Sequence, residues 1–263
     1  MLLLNQIINN YYLLLNLFLF FTSTKQIYAH RLLPSSTSTK QQQQQVQQRK
    51  RKLASNWNQI QNLFKDKLYT DDVGYGFSVT NSIDGKIVAV GAPFDNSSKG
   101  RVSIYTFDTK KQSWLSMGLD IVGLQHYDQF GQSVTLSHSG QILAISAPKA
   151  LDGRGYVTIY RYDSTTLSWE QIGERIEGQL SQENFGFSIA LSGKGGMVAI
   201  GAPNGNGESG MVRVYKYDGT DSNHQWLQVG LNIVGENADD EAGHSIDILE
   251  EGMNVYVGIG APL

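Results

Sequence analysis

The chain has 263 residues, enough for one large domain or two ordinary ones, with 28 glycines, 5 prolines and, between them, 23 tyrosines and phenylalanines. That composition suits an all-β protein with many tight turns, and the absence of cysteine excludes disulfides, thiolate metal sites and cysteine nucleophiles without deciding the compartment. The net charge of −3 is uneven: residues 1–56 hold seven bases (Lys25, Arg31, Lys40, Arg49, Lys50, Arg51, Lys52) and no acid, so the remainder carries −10 and no nucleic-acid partner is expected of it.

Residues 2–24 are uncharged, and their dense apolar part is Tyr11 to Phe21. As a helix this part would span about 16 Å, against about 30 Å of hydrocarbon. Asn5, Gln6, Asn9, Asn10 and Asn16 add polar groups that lipid disfavours. The stretch is therefore read as a secretory signal peptide, residues 1–29, cleaved after Ala29. No Lys or Arg precedes the apolar core, so an uncleaved anchor, the one route to a membrane partner, and a misplaced gene start are the alternatives. Residues 30–54 are polar and repetitive, with a glutamine tract followed by Arg49–Lys52. Such a segment buries too little apolar surface to offset the entropy of ordering and is expected to be a basic linker.

From Trp57 to Leu263 the chain repeats itself with a period of about 55 residues. One line reads YGFSV, FGQSV, FGFSI and AGHSI, with glycines at Gly76, Gly131, Gly186 and Gly243. A second reads VAVGAP, AISAP, VAIGAP and VGIGAP. A third reads GRVSIYTF, GYVTIYRY and GMVRVYKY. A fourth begins at Trp57, Trp114, Trp169 and Trp226. Each line has the length and β-branched or aromatic content of a strand, and glycine turns (IDGK, HSGQ, GKGG) join the first line to the second. A four-stranded antiparallel unit cannot bury both faces alone. Radial stacking of such units solves this, so the expected fold is all-β, a β-propeller of four-stranded blades. The repeats divide at about 57–113, 114–168, 169–225 and 226–263.

The recurrent small residues have structural roles in this reading. Ala92, Ala147 and Ala202 let strands crowd, and Pro93, Pro148 and Pro203 end the ladder because proline has no N–H. Tyr75, Phe130 and Phe185 are expected to fill the space between units, and the tryptophans to cover the outer edge.

A Phe-Gly line followed by a Gly-Ala-Pro line at this period resembles the FG-GAP repeats of the integrin α-chain propeller, over residues 57–263. The resemblance implies a secreted or cell-surface, adhesion-type scaffold that binds a protein or carbohydrate through loops on one face. Many FG-GAP repeats also hold calcium in an acidic loop between the first two lines. Here those loops read NSIDG, SHSG and SGKGG, with Asp84 their one carboxylate. Calcium needs six to eight oxygens, so no cofactor is expected. The polar loops after the second line, Asp95-Asn96 and Asn204 to Glu208, are the weaker candidates for a cation.

Three copies of all four lines are present, and the fourth copy stops at Ala261-Pro262-Leu263. A fragmentary sequence is the leading expectation; an open arc and a tight four-blade ring are the others. No histidine pair has metal-ligand spacing, and no nucleophile elbow or phosphate loop occurs. No enzymatic activity is expected. Asp128, Glu183 and Asp240 share one position, three residues before the turn glycine; they are read as turn-capping acceptors, with a glycan hydrolase or lyase, or the accessory domain of a larger enzyme, as alternatives. His244 is read as facing a unit interface. Asn96-Ser97-Ser98 is a sequon, open to N-glycosylation if the chain is secreted.

Overall fold

The structure, a computed structural model, describes residues 74–219, 225–251 and 254–262. The signal-peptide and linker expectations for residues 1–54, and the line at Trp57, lie outside them. The described residues form four antiparallel sheets in chain order. The first contains β1 (Ser78–Asn81), β2 (Ile87–Ala92), β3 (Arg101–Asp108), β4 (Ser113–Ser116) and β5 (Ile121–Val122). The second repeats this plan with β6 (Val134–Leu136), β7 (Ile142–Ala147), β8 (Tyr156–Asp163), β9 (Ser168–Gln171) and β10 (Ile176–Glu177). The third has β11 (Ser188–Leu191), β12 (Met197–Ala202), β13 (Met211–Asp218), β14 (Gln225–Gln228) and β15 (Ile233–Val234), and the fourth pairs β16 (Ser245–Glu251) with β17 (Asn254–Gly260).

Two features differ from the sequence expectation. The tryptophan line is two strands, so each complete sheet has five. Gly118, Gly173 and Gly230, at φ 80°, 72° and 73°, break the line; β4 then pairs with the C-terminal half of β3 and β5 with its N-terminal end. The sheet limits are also phased differently from the divisions at residues 113, 168 and 225. Each tryptophan strand hydrogen-bonds to the strand before it, as Trp114 opposite Phe107 and Trp169 opposite Tyr162, and so closes a sheet instead of opening one.

Successive sheets adjoin along their first strands, β1 beside β6, β6 beside β11 and β11 beside β16. The cores lie between sheets. Ile87, Ala89 and Val102 of the first sheet pack with Leu136, Leu143 and Ile145 of the second. Ala144, Val157 and Ile159 of the second pack with Ile189, Val198 and Ile200 of the third. Neighbours on one strand thus serve opposite cores, which is why the second line is apolar at nearly every residue. In the third line the polar residues Ser103, Thr158 and Arg213 are buried as fully as the valines beside them.

The repeat residues fall at the contacts between sheets. Gly76, Gly131, Gly186 and Gly243 all have φ near +90°, a region that β-carbon-bearing residues avoid. The Ser78 hydroxyl donates to the Gly131 carbonyl at 2.7 Å, and the Ser188 hydroxyl to that of Gly243 at 2.7 Å. Ala92, Ala147 and Ala202 are buried, and Pro93, Pro148 and Pro203 are buried immediately beyond the strand ends. Phe130 and Phe185 fill the gaps between sheets; Tyr75 instead pairs its hydroxyl with that of Tyr105 at 2.7 Å. The tryptophans do more than cover an edge. Trp114, Trp169 and Trp226 pack tilted against Phe107, Tyr162 and Tyr217 with ring centroids 5.2–5.3 Å apart. The Trp169 indole N–H also donates to the Met117 carbonyl at 2.8 Å, and that of Trp226 to the Ile172 carbonyl at 3.0 Å. Each is a bond to the outer strands of the sheet before.

Candidate functional site

All the loops at one end of the sheets belong to two sets. One follows the Gly-Ala-Pro line: residues 93–100, 148–155 and 203–210. The other leads into the next sheet: residues 123–131, 178–186 and 235–243. The two sets are laced by backbone hydrogen bonds. Tyr127 N–H donates to Ser97 O, Gln129 N–H to Ser98 O and Phe130 N–H to Lys99 O, at 2.9–3.3 Å. At the next boundary Gln182, Asn184 and Phe185 donate to Asp152, Gly153 and Arg154, and at the third Glu241 and Ala242 donate to Glu208 and Ser209.

The backbone of this rim is unusual. Thirteen of the fifteen non-glycine residues with positive φ among the described residues lie on it, although this region is sparsely used by residues with a β-carbon. The other two, Gln112 and Leu167, are in hairpin turns at the opposite end. Asn96, Ser97 and Ser98 are left-handed in succession, and Leu151 and Asp152 match Asn96 and Ser97. In the connecting loops the pattern is strict: the residues on either side of the repeated acid are left-handed, Tyr127 and Gln129, Gln182 and Asn184, Asp239 and Glu241.

That places the acids. Asp128 Oδ2 accepts from Gln125 N–H at 3.2 Å and Asp240 Oδ2 from Asn237 N–H at 2.7 Å, so each caps its own loop. Glu183, one methylene longer, reaches back to Gln179 N–H at 2.6 Å. It also takes both guanidinium nitrogens of Arg213 at 3.0 Å, in a pair 1% exposed on either side, with the guanidinium 5.1 Å from the Phe185 ring centre. Sequence reasoning missed Arg213. The signal was there: a charged residue stands in a line whose other copies have Ser103 and Thr158. Each acid is thus engaged within its own sheet boundary.

Burial raises the carboxyl pKa of Asp128 above its ordinary value, against the opposing pull of the Gln125 N–H. The unfolded chain ionises first, so this group withdraws stability as pH rises through the acid range and costs nothing once both states are protonated. Asp128→Asn keeps the acceptor oxygen. The melting temperature of this variant is expected to match wild type at about pH 3 and to exceed it from about pH 5 upward, around the ordinary aspartate value. A difference between the two proteins that does not vary with pH would contradict this account.

The other candidates lie apart. Asp84, in the turn before β2, accepts from the Ser82 hydroxyl at 2.7 Å and Lys86 N–H at 3.0 Å, which hold its carboxyl below the usual range. Asp95 faces Arg101 at 3.4 Å, and the Asn206 amide donates to the Ser209 hydroxyl at 2.8 Å. Among the described residues no three metal-ligating side chains come together. His244 packs tilted against Phe187 with centroids 4.9 Å apart, at the boundary of the third and fourth sheets. A shallow open groove of about 250 Å³ between β10 and β14 has its Arg175 held by Glu177 at 2.6 Å.

No family model and no curated protein matches the sequence. Solved structures that resemble it include Sqt1 from Saccharomyces cerevisiae, 12% identical, with a TM-score of 0.41 over 62% of this chain and 36% of that one. A 6-phosphogluconolactonase-like protein from Bacteroides uniformis is 16% identical, with a TM-score of 0.46 over 68% of this chain and 46% of that one. The chain spans less than half of either protein, and similarities of this extent say nothing of ligand or activity.

Proposed function

We propose that the repeat region is a propeller-type interaction module of the FG-GAP, integrin-α-like class, secreted or displayed at the cell surface, which binds a protein or carbohydrate through the laced rim and is not an enzyme. The observation that carries this reading is the left-handed, doubly laced backbone of that rim. Strained backbone persists only where its surroundings over-determine it, and it gathers at sites that need preformed loops. Loops already fixed on rigid sheets bind with less ordering cost than loops that must be immobilised by the ligand. The net acidity of the region argues against nucleic acid as the partner.

The full chain, purified and applied to glycan and protein arrays beside a panel of glycosidase substrates, tests this. Binding is expected, and Lys149→Glu on the rim should weaken it at least tenfold while Lys110→Glu at the opposite end leaves it unchanged. Binding that follows Lys110 would move the site to the other end. Turnover of a glycan abolished by Asp128→Asn would replace the reading with a hydrolase.

A further inference from the structure

We propose that Asn96 carries an N-linked glycan whose first sugar packs against the ring of Tyr127, a modification that rests on the secretory reading above. Asn96-Ser97-Ser98 is the single Asn-x-Ser/Thr sequence in the chain. Asn96 is exposed, and its turn is pinned from within: Ser98 N–H donates to Phe94 O at 3.2 Å, Lys99 N–H to Asn96 O at 3.2 Å and Gly100 N–H to Asp95 O at 3.0 Å. Its side-chain amide has no hydrogen-bond partner among the described residues. The second sheet's copy of this turn behaves otherwise. There Asp152 accepts from the Ser181 hydroxyl at 3.0 Å and, through its carbonyl, from the Gln182 amide at 3.2 Å, tying the two loops together, and Leu151 packs against the core. The first copy leaves an amide pointing to solvent where the second uses its side chains internally.

Tyr127 is the second observation. It is left-handed at φ 70° and 73% exposed. The equivalent residues are Gln182 and Asp239, so an aromatic ring is not needed to build the loop. The left-handed backbone belongs to the loop at every boundary, whereas the exposed ring belongs to this one alone and offers a sugar a flat apolar face. The backbone that carries this ring is fixed beside Asn96, since Tyr127 N–H donates to Ser97 O at 3.2 Å and His126 Nδ1 lies 3.1 Å from Asn96 O. The flat C–H face of a pyranose suits the face of such a ring. In the reaction Asn96 Nδ2 attacks the anomeric carbon of a lipid-linked oligosaccharide diphosphate. The C–N bond forms, the C–O bond to phosphate breaks, the lipid diphosphate leaves with the electron pair, and the amide proton passes to a base of the transferase. The glycan would cover the rim between the first and second sheets and direct ligands to the remaining boundaries.

The test expresses the full chain from Met1 in eukaryotic cells and reads intact mass and location. The expected result is secreted protein with a mass excess that an N-glycan amidase removes, leaving Asp at position 96, and that Asn96→Gln and Ser98→Ala both abolish. Secreted protein without the excess overturns the glycan while leaving secretion standing; cytosolic protein without it overturns both. Packing on the ring has its own measurement. Removing the glycan should lower the melting temperature by about 2 °C in wild type and Tyr127→Phe, and not in Tyr127→Ala. An equal loss in all three would overturn the role of Tyr127.

Discussion

Glu183→Gln is expected to lower the unfolding free energy by about 3–5 kcal/mol, because it leaves the Arg213 charge buried without a counter-charge. Both side chains are 1% exposed, and the two bonds between them are 3.0 Å long. Glutamine would keep the acceptor for Gln179 but turn an amide N–H toward a guanidinium N–H. Against a typical total of about 5–15 kcal/mol, the loss is large, and thermal unfolding should show a fall of about 10 °C. Arg213→Met should cost a similar amount, since it strands the carboxylate instead. The double variant Glu183→Gln with Arg213→Met should regain most of the loss, because exchanging a buried pair for neutral groups of like volume is often close to neutral. Strict additivity of the two single changes, measured by denaturant unfolding, would show that the pair does not act as a unit.

Gly201→Ala is expected to cost about 3 kcal/mol, the upper part of the range for overpacking. A β-carbon at Gly201 would lie 2.1 Å from the Gly243 carbonyl oxygen and 2.6 Å from the Ser188 hydroxyl. The first of these is backbone of the next sheet, so relief requires the third and fourth sheets to separate. The second accepts no displacement without losing the Ser188 bond to Gly243. The second sheet contains its own control. Ser146 stands at the corresponding position with a β-carbon already accommodated, and its hydroxyl accepts from Ser133 N–H at 3.0 Å. Ser146→Ala, which also removes the bond its hydroxyl donates to Ser133 O at 3.3 Å, should therefore cost only about 1–2 kcal/mol, the worth of those hydrogen bonds. Equal losses for the two variants in urea unfolding would mean that the contact at Gly201 is not the cause.

Much of this architecture was legible in the sequence because a repeat reports the same environment several times. The first three lines and their glycine turns became the strands and hairpins expected of them, since period, turn chemistry and apolar content agreed at each copy. The fourth line has the content of one strand, and nothing local distinguishes its internal glycines, Gly118, Gly173 and Gly230, from strand glycines, although all three are left-handed breaks. The sheet phase differs from the repeat divisions for another reason. Pairing is a long-range property, and nothing local to Trp114 states whether it joins the strand before it or after. Ser103 and Thr158 carry no signal of their burial, because small polar residues fit either a surface or a crowded interior. Only Arg213, too large and charged to be ambiguous, marked that column as special. Of the candidate site, the repeated acids and the sequon were visible. The lacing of the rim was not, because the left-handed residues there include tyrosine, leucine and glutamine, types that carry no signal for that conformation.

The tryptophan bonds described above run in one direction. Each indole belongs to a later sheet and fastens the outer strands of the earlier one, so a sheet is finished by its successor and not by itself. Loosening is then directional: opening of one sheet should release the latch on the sheet before it, so that a local opening spreads toward the earlier sheets rather than evenly in both directions.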